Sequence, residues 1–427
     1  MSSSLPFCTM ISRSLLFSLA PLAVAVAAPL PVVTPEVRAL HERALVLDTH
    51  FDSAFSLSRP GWDVTQRHSY EEDMTQVDLP RLIEGGVDGG FWTLFTPQGP
   101  RTPEGHAAAR DAAIQIALRI HTMVARYPDR FALALKADDA ERIAAAGKQV
   151  VYLSIENGYP LGRDLTLMKT FYDLGVRLIG PVHTANNELA DSATDVKGAE
   201  WNGLSPLGRE FVQEANRLGM VVDGSHASDA VLAQMLELSK TPVLLSHSGC
   251  KAVYDHPRNI PDDLLRKLAA KGGVIQLNAF SSYLATLPTN PARNAAQQEL
   301  MTRFGGRGAL TNPEKAAAYL AARGELDRKF PQPLASFDSF IAHVLHAMKV
   351  AGPDHVGISG DFDGGGGVEG FNDVTGAPRI TAAVLAAGYG EAEVRKLWGG
   401  NVLRLLRAAE VGAEPKRSPG TTGKKRE

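Results

Sequence analysis

Eight short apolar, β-prone runs recur along this chain, separated by stretches with helical periodicity, and that alternation is the pattern of parallel strands joined by helices. The runs cover 44–52, 87–95, 150–156, 176–184, 220–227, 242–248, 273–280 and 355–363. Eight such units close into a ring, so the expectation is an α/β chain folded as a (β/α)8 TIM-like barrel. With 427 residues, 44% of them hydrophobic, the chain is long enough to bury that core.

The intervening stretches carry helix signals. Ser205-Pro206 opens one with Leu207, Phe211, Val212, Ala215 and Leu218 on a single face, and Gly219 closes it. Ser228 is positioned to cap 229–239, and 262–270 leads into the seventh run. The interval 284–352 is longer than one crossover needs. It contains two further helical patterns, near 313–323 and 337–350, and is placed to shield a site at the barrel mouth.

The ends read differently from the body. Arg13 precedes an apolar run, 15–28, that ends in small residues including Ala25-Val26-Ala27, the pattern of a cleavable signal peptide over 1–27. An uncleaved anchor is the alternative. After cleavage no stable membrane insertion is expected, and the location would be periplasmic or secreted. Cys8 would leave with the signal, so Cys250 alone remains and no internal disulfide can close. The catalytic domain is expected over 28–412 and a disordered polar tail over 413–427. A net charge of −3 provides no basic field, which argues against nucleic acid as a partner. A homodimer stays open.

In a (β/α)8 barrel the reactive groups stand where the strands end. Run one ends in Asp48-Thr49-His50-Phe51-Asp52, run three in Glu156, run four in His183, run five in His226, run six in His247 and run eight in Asp361. Singly, each has an ordinary reading. His50 and Asp52, two apart on one strand face, could grip an ion, but such a pair also arises by chance. Glu156 could be a cap or a salt-bridge partner, and either Ser-His step could hold a hydrogen-bonded structural histidine. Independent structural residues have no reason to gather on one rim, whereas a binuclear metal site requires it. Asp361 and Asp363, two apart, share a strand face, so either could be the reactive acid and the other a turn or capping residue. Arg258, after run six, could reach the mouth or form a surface ion pair. The sequence has no HExxH helix, GxSxG elbow or recognisable Cys–His nucleophile pattern.

Taken together, these segments resemble the membrane (renal) dipeptidase family of amidohydrolase-type barrels, from about Ala44 to Glu410. The resemblance is densest in Leu174-Gly175-Val176-Arg177, His183-Thr184-Ala185-Asn186-Asn187, Gly203-Leu204-Ser205-Pro206-Leu207-Gly208, Ser225-His226-Ala227-Ser228, Ser246-His247-Ser248, Arg258-Asn259-Ile260-Pro261-Asp262-Asp263 and Gly360-Asp361-Phe362-Asp363-Gly364. The resemblance implies two Zn2+ per chain. His50 and Asp52 would hold one, His226 and His247 the other, and Glu156 would bridge them. It places His183, Arg258 and Tyr283 at substrate-contacting positions and Asp361 at the catalytic acid. It implies hydrolysis of small dipeptides with a free C-terminal carboxylate by a metal-bridging hydroxide. The mammalian members continue the first motif as His-Asn-Asp-Leu-Pro, where this chain has His50-Phe51-Asp52-Ser53-Ala54, and their bridging glutamate precedes Gly-Gly-His, where Asn157-Gly158-Tyr159 stands here. Substrate preference therefore does not carry over. The rival readings are another binuclear amidohydrolase, acting on a cyclic amide, an N-acyl amino acid or a lactone, and a barrel binding protein without turnover.

Overall fold

The computed structural model describes residues 29–413, so the expected signal peptide and positions 414–427 of the expected tail lie outside the described residues. Ten strands follow in chain order: β1 (Leu47–Phe51), β2 (Gly89–Thr93), β3 (Phe131–Leu133), β4 (Gln149–Ile155), β5 (Val176–Ile179), β6 (Val221–Val222), β7 (Leu244–Cys250), β8 (Asn259–Ile260), β9 (Val274–Asn278) and β10 (Val356–Ser359). Eight of them overlap the eight apolar runs. β3 and β8, only three and two residues long, were not anticipated; β3 pairs with the start of β4, at Gln149, Val150 and Val151, and β8 with the end of β7, at Gly249 and Cys250.

All the strand pairings are parallel, and they form two arcs, β1-β2-β4-β5-β6 and β10-β9-β7. Two single parallel bridges join the arcs into a ring, Asp223 with Leu244 and Phe51 with Phe362. Backbone hydrogen bonds mark both seams: Gly224 N donates to Leu244 O at 2.8 Å, and Asp52 N to Phe362 O at 3.0 Å.

Strands buried on both faces must be apolar at successive positions, and β4 shows how the faces divide. Val150 and Tyr152 pack into one apolar cluster, and Val151, Leu153 and Ile155 into another. The first cluster gathers residues near strand starts, including Leu47, Val221 and Val274, with Val402, Leu405 and Leu406 of the helix Asn401–Gly412. That helix plugs the amino-terminal end of the barrel and leaves the carboxyl-terminal rim as the open one.

The expected caps form. Ser205 Oγ accepts Gly208 N at 3.0 Å, Pro206 opens the helix Pro206–Leu218, and Gly219 ends it in a left-handed conformation at φ 81. Ser228 caps Asp229–Leu238. The long insertion holds three helices, Pro291–Phe304, Ala316–Lys329 and Phe337–Ala351. The first was not anticipated, although Asn290 caps it and Pro291 starts it. The second begins later than its sequence pattern, because the Asn312 side chain accepts the backbone N–H groups of Glu314 and Lys315 and forms a turn there. Among the described residues, no helix is long and apolar enough to cross a membrane.

Candidate metal centre

β4 delivers the central residue. Two-residue alternation carries the face of Val150 and Tyr152 through Ser154 to Glu156, which stands just past the strand end. Its carboxylate is buried, and its two oxygens look in different directions. Oε1 lies 2.9 Å from His226 Nε2, 3.3 Å from His247 Nε2 and 3.4 Å from His183 Nε2, while Oε2 lies 3.7 Å from His50 Nε2. His50 Nε2 is in turn 3.5 Å from Asp52 Oδ2.

Neighbouring loops complete the rim. β1 ends at Phe51, so Asp52 opens the short helix Asp52–Ser58 rather than continuing the strand, yet its carboxylate still meets His50. β6 is shorter than its apolar run, and His226 lies beyond it with φ 66, a left-handed conformation uncommon for histidine. Three donor groups, each with its atoms within 4.8 Å of one another, could hold a metal: His50, Glu156 and His247; Glu156, His183 and His226; and His50, Asp52 and Asp361. Glu156 belongs to two of them.

The two acids of the last motif part company. β10 stops at Ser359, and Asp361 and Asp363 both have positive φ, 52 and 65, so the strand alternation that would place them on one face does not extend to them. Asp361 turns to the cluster and accepts Asn278 Nδ2 at 3.0 Å. Asp363 turns away, accepting Ser53 Oγ at 2.5 Å and Gln76 N at 2.7 Å.

A ring of supporting contacts orients these groups. The Ser246 hydroxyl donates to buried Asp223 at 2.5 Å and lies 2.8 Å from His247 Nδ1. With its proton committed to Asp223, Ser246 can only accept from Nδ1–H, which leaves the lone pair of His247 on Nε2, facing the cluster. Asp48 accepts His50 N at 2.9 Å and Gly360 N at 2.7 Å, tying the ends of β1 and β10 together. Sequence reasoning passed over Asp48, Asp223, Ser246 and Asn278 as supporting groups. The available signal was a carboxylate closing an apolar run, as in Val221-Val222-Asp223.

Arg258 is buried and donates through Nη2 to His247 O at 3.0 Å, with its guanidinium carbon 5.5 Å from the centre of the Tyr283 ring. Tyr283 stacks on Phe280 at 4.2 Å, and Phe95 meets His183 edge-on at 4.9 Å. Together with Phe55 and Ile116 these aromatic groups wall a cavity of about 890 Å³ above the cluster.

The electrostatics follow from crowding. Burial first, then the neighbouring carboxylates Asp52 and Asp361, push the Glu156 carboxyl up, and burial with Asp52 pushes Asp361 up to about 6. Burial, together with the charge of Arg258, lowers His183 to about 3 and holds His226 and His247 well below the usual range. Burial lowers His50 as well, but the carboxylates Glu156 and Asp52 outweigh it and raise His50 to about 10. The neutral imidazoles are therefore His183, His226 and His247, and a cation bound beside His50 would take the place of its proton in a nitrogen-and-oxygen donor set. His50 Nε2 and Asp52 Oδ1 are buried without a hydrogen-bond partner among the described residues. A divalent cation would satisfy both, so the residues present fit a metal.

The model of the membrane dipeptidase family (peptidase family M19) matches residues 34–420. The chain is similar to dipeptidase tcpJ of Claviceps purpurea (strain 20.1), at 33% identity over 356 residues that cover 82% of this chain and 73% of that protein. Its fold is similar to the crystal structure of the probable dipeptidase PvdM from Pseudomonas aeruginosa, with a TM-score of 0.74 and 31% identity, covering 88% of this chain and 98% of that one. It is also similar to a metallo peptidase from Rhodobacter sphaeroides liganded with a phosphinate mimic of the dipeptide L-Ala-D-Ala. That match has a TM-score of 0.68 and 25% identity, covering 86% of this chain and 99% of that one.

Proposed function

The chain belongs to the membrane dipeptidase family and is a dipeptide-hydrolysing metallopeptidase, and from that premise we propose that it uses two zinc ions and selects dipeptides with a free C-terminal carboxylate. The observation that carries this reading is Glu156, one oxygen of which faces His226 and His247 while the other faces His50. In this reading His50 and Asp52 hold one ion, His226 and His247 the other, and Glu156 serves both. Bound there, divalent ions supply Lewis-acid activation of water and polarise the scissile carbonyl.

The chain's own groups do the rest. Asp361, oriented by Asn278, takes a proton from the attacking water and returns it to the leaving amine. His183, at the edge of the cluster and steadied by Phe95, donates an N–H to the oxygen that gains charge as the carbonyl is attacked. Arg258 and Tyr283 stand side by side to receive the chain-end carboxylate, which a guanidinium can bind through two N–H groups. The dipeptide mimic bound to the Rhodobacter sphaeroides relative supports a substrate of this size. Export is a separate proposal, resting on the apolar run at 15–28, and the N-terminal sequence of the mature protein tests it.

The decisive experiment combines elemental analysis with a dipeptide assay on purified protein. About two zinc ions per chain and cleavage of Ala-Ala are expected, with both activity and at least one ion lost in Glu156→Gln. Full metal content and activity in that variant would remove Glu156 from the centre.

A further inference from the structure

Beside the cavity over the metal centre lies a second chamber of about 590 Å³. The two share three lining residues, Arg307, Asp363 and Gly364. Arg307 comes from the insertion, on the turn Gly306–Thr311, which is held by a small apolar cluster of Met74, Ala309, Leu310 and Tyr319. The inserted segment thus brings a cation to the wall of the substrate cavity.

That cation is poorly satisfied. One Nη1–H of Arg307 donates to the Asp363 backbone oxygen, and the guanidinium carbon lies 5.4 Å from the centre of the Phe55 ring. Its Nε is buried with no hydrogen-bond partner, and no carboxylate forms an ion pair with it among the described residues. The buried Asp363 carboxylate feels the charge of Arg307 but forms no ion pair with it, and accepts instead from Ser53 and Gln76. Arg59, which shares this neighbourhood, is compensated by Asp73. A guanidinium has five N–H donors in a planar fork, and the contact that pins the loop uses one of them. The remaining donors match a carboxylate.

Arg307 is also separate from the group assigned to the chain end. Arg258 follows β7 and donates to His247 O, whereas Arg307 stands on the β1 and β10 side of the rim, against Phe55 and Asp363. We propose that Arg307 binds a second carboxylate on the substrate, carried by a side chain, so that the preferred dipeptides contain an acidic residue. This rests on the dipeptidase reading, with Arg258 reserved for the C-terminal carboxylate.

The test compares kcat/KM of the zinc-loaded enzyme on Ala-Ala, Ala-Asp, Asp-Ala, Ala-Lys and Lys-Ala. One of the two aspartyl dipeptides should exceed Ala-Ala by about tenfold or more, mainly through KM. Arg307→Gln should erase that ratio, Arg307→Lys should keep part of it, and Arg307→Glu should turn the preference towards the lysyl dipeptide at the same position. A residue that only pins the loop cannot produce the reversal, and comparing Lys with Glu decides the matter even if the Gln variant fails to fold. Equal rates on aspartyl and alanyl dipeptides in the wild type, or one common loss on every substrate in the variants, would overturn the assignment. If none of these dipeptides were cleaved by metal-loaded protein, the dipeptidase reading itself would fail and this inference with it, a result distinct from cleavage without acidic preference.

Discussion

The Ser246 hydroxyl lies 2.8 Å from Nδ1 of His247, and because it donates to Asp223 at 2.5 Å it can only accept from that nitrogen. A three-residue relay of hydrogen bonds thereby fixes the tautomer of a histidine whose other nitrogen faces Glu156 at 3.3 Å. Partners of this kind keep a ligand in its binding form.

Ser246→Ala should therefore leave the fold intact and weaken metal binding by roughly 10- to 100-fold. Titrating the apoprotein with zinc in competition with a chelator measures this. An unchanged affinity would mean that His247 is oriented by the strand alone.

Asp361 and Asp363 should separate cleanly by substitution. Asp361→Asn should retain the metals and lose turnover by about a hundredfold or more, since a proton carrier is removed. Asp363→Asn should show a smaller kinetic effect but a lower Tm, because its contacts to Ser53 and Gln76 are structural and each such bond contributes about 1 kcal/mol. Kinetics and melting of both variants settle the roles, and the reverse order would exchange them.

This pair also shows where sequence reasoning ended. The barrel was legible because a strand buried on both faces must be apolar at every step, and eight such runs can be counted. The gathering of His50, Asp52, Glu156, His183, His226, His247 and Asp361 was legible because strand ends converge on one rim. The distinction between Asp361 and Asp363 was not, since it depends on positive φ at both residues, which composition does not encode for aspartate. The contribution of Arg307 was hidden for another reason. It lies in an irregular insertion whose path is set by long-range packing of Ala309 and Leu310 on Met74, and local pattern carries no record of that.

A prediction of pH-dependent stability concerns His41, on the helix Pro35–Arg43 that precedes β1 and buried against Trp398. Its Nδ1 meets Thr381 Oγ1 at 2.8 Å and its Nε2 meets Gly85 O at 3.0 Å. Burial lowers its pKa to about 4, with Gly85 O opposing and Arg38 assisting. The folded pKa is thus below the unfolded value near 6.5, so the unfolded chain binds more protons between these values. Stability is fully present above about pH 6.5 and is lost as pH falls towards 4, by roughly 3 kcal/mol from this group. Urea melts of wild type and His41→Gln across that window should show a flatter pH slope in the variant. Parallel slopes would exclude His41 as a source of acid sensitivity.

The last prediction concerns the chain-end contact. Arg258 is buried beside Tyr283, with Nε lacking a hydrogen-bond partner among the described residues. A desolvated guanidinium with free donors binds a carboxylate strongly and an amide weakly, because the amide brings no charge and cannot accept through two equivalent oxygens. Dipeptides should be cleaved and their C-terminal amides spared. In Arg258→Met the loss in kcat/KM should fall on the free dipeptide, by about 2 to 4 kcal/mol, with the amide affected far less. One dipeptide and its amide, each assayed on wild type and variant, close a double-mutant cycle that isolates the contact from any general disturbance of the pocket. Its coupling energy is the quantity to read. A value near zero, with both substrates losing equally, would show that Arg258 supports β7 through its bond to the His247 backbone oxygen, and the chain-end selectivity would have to come from another group.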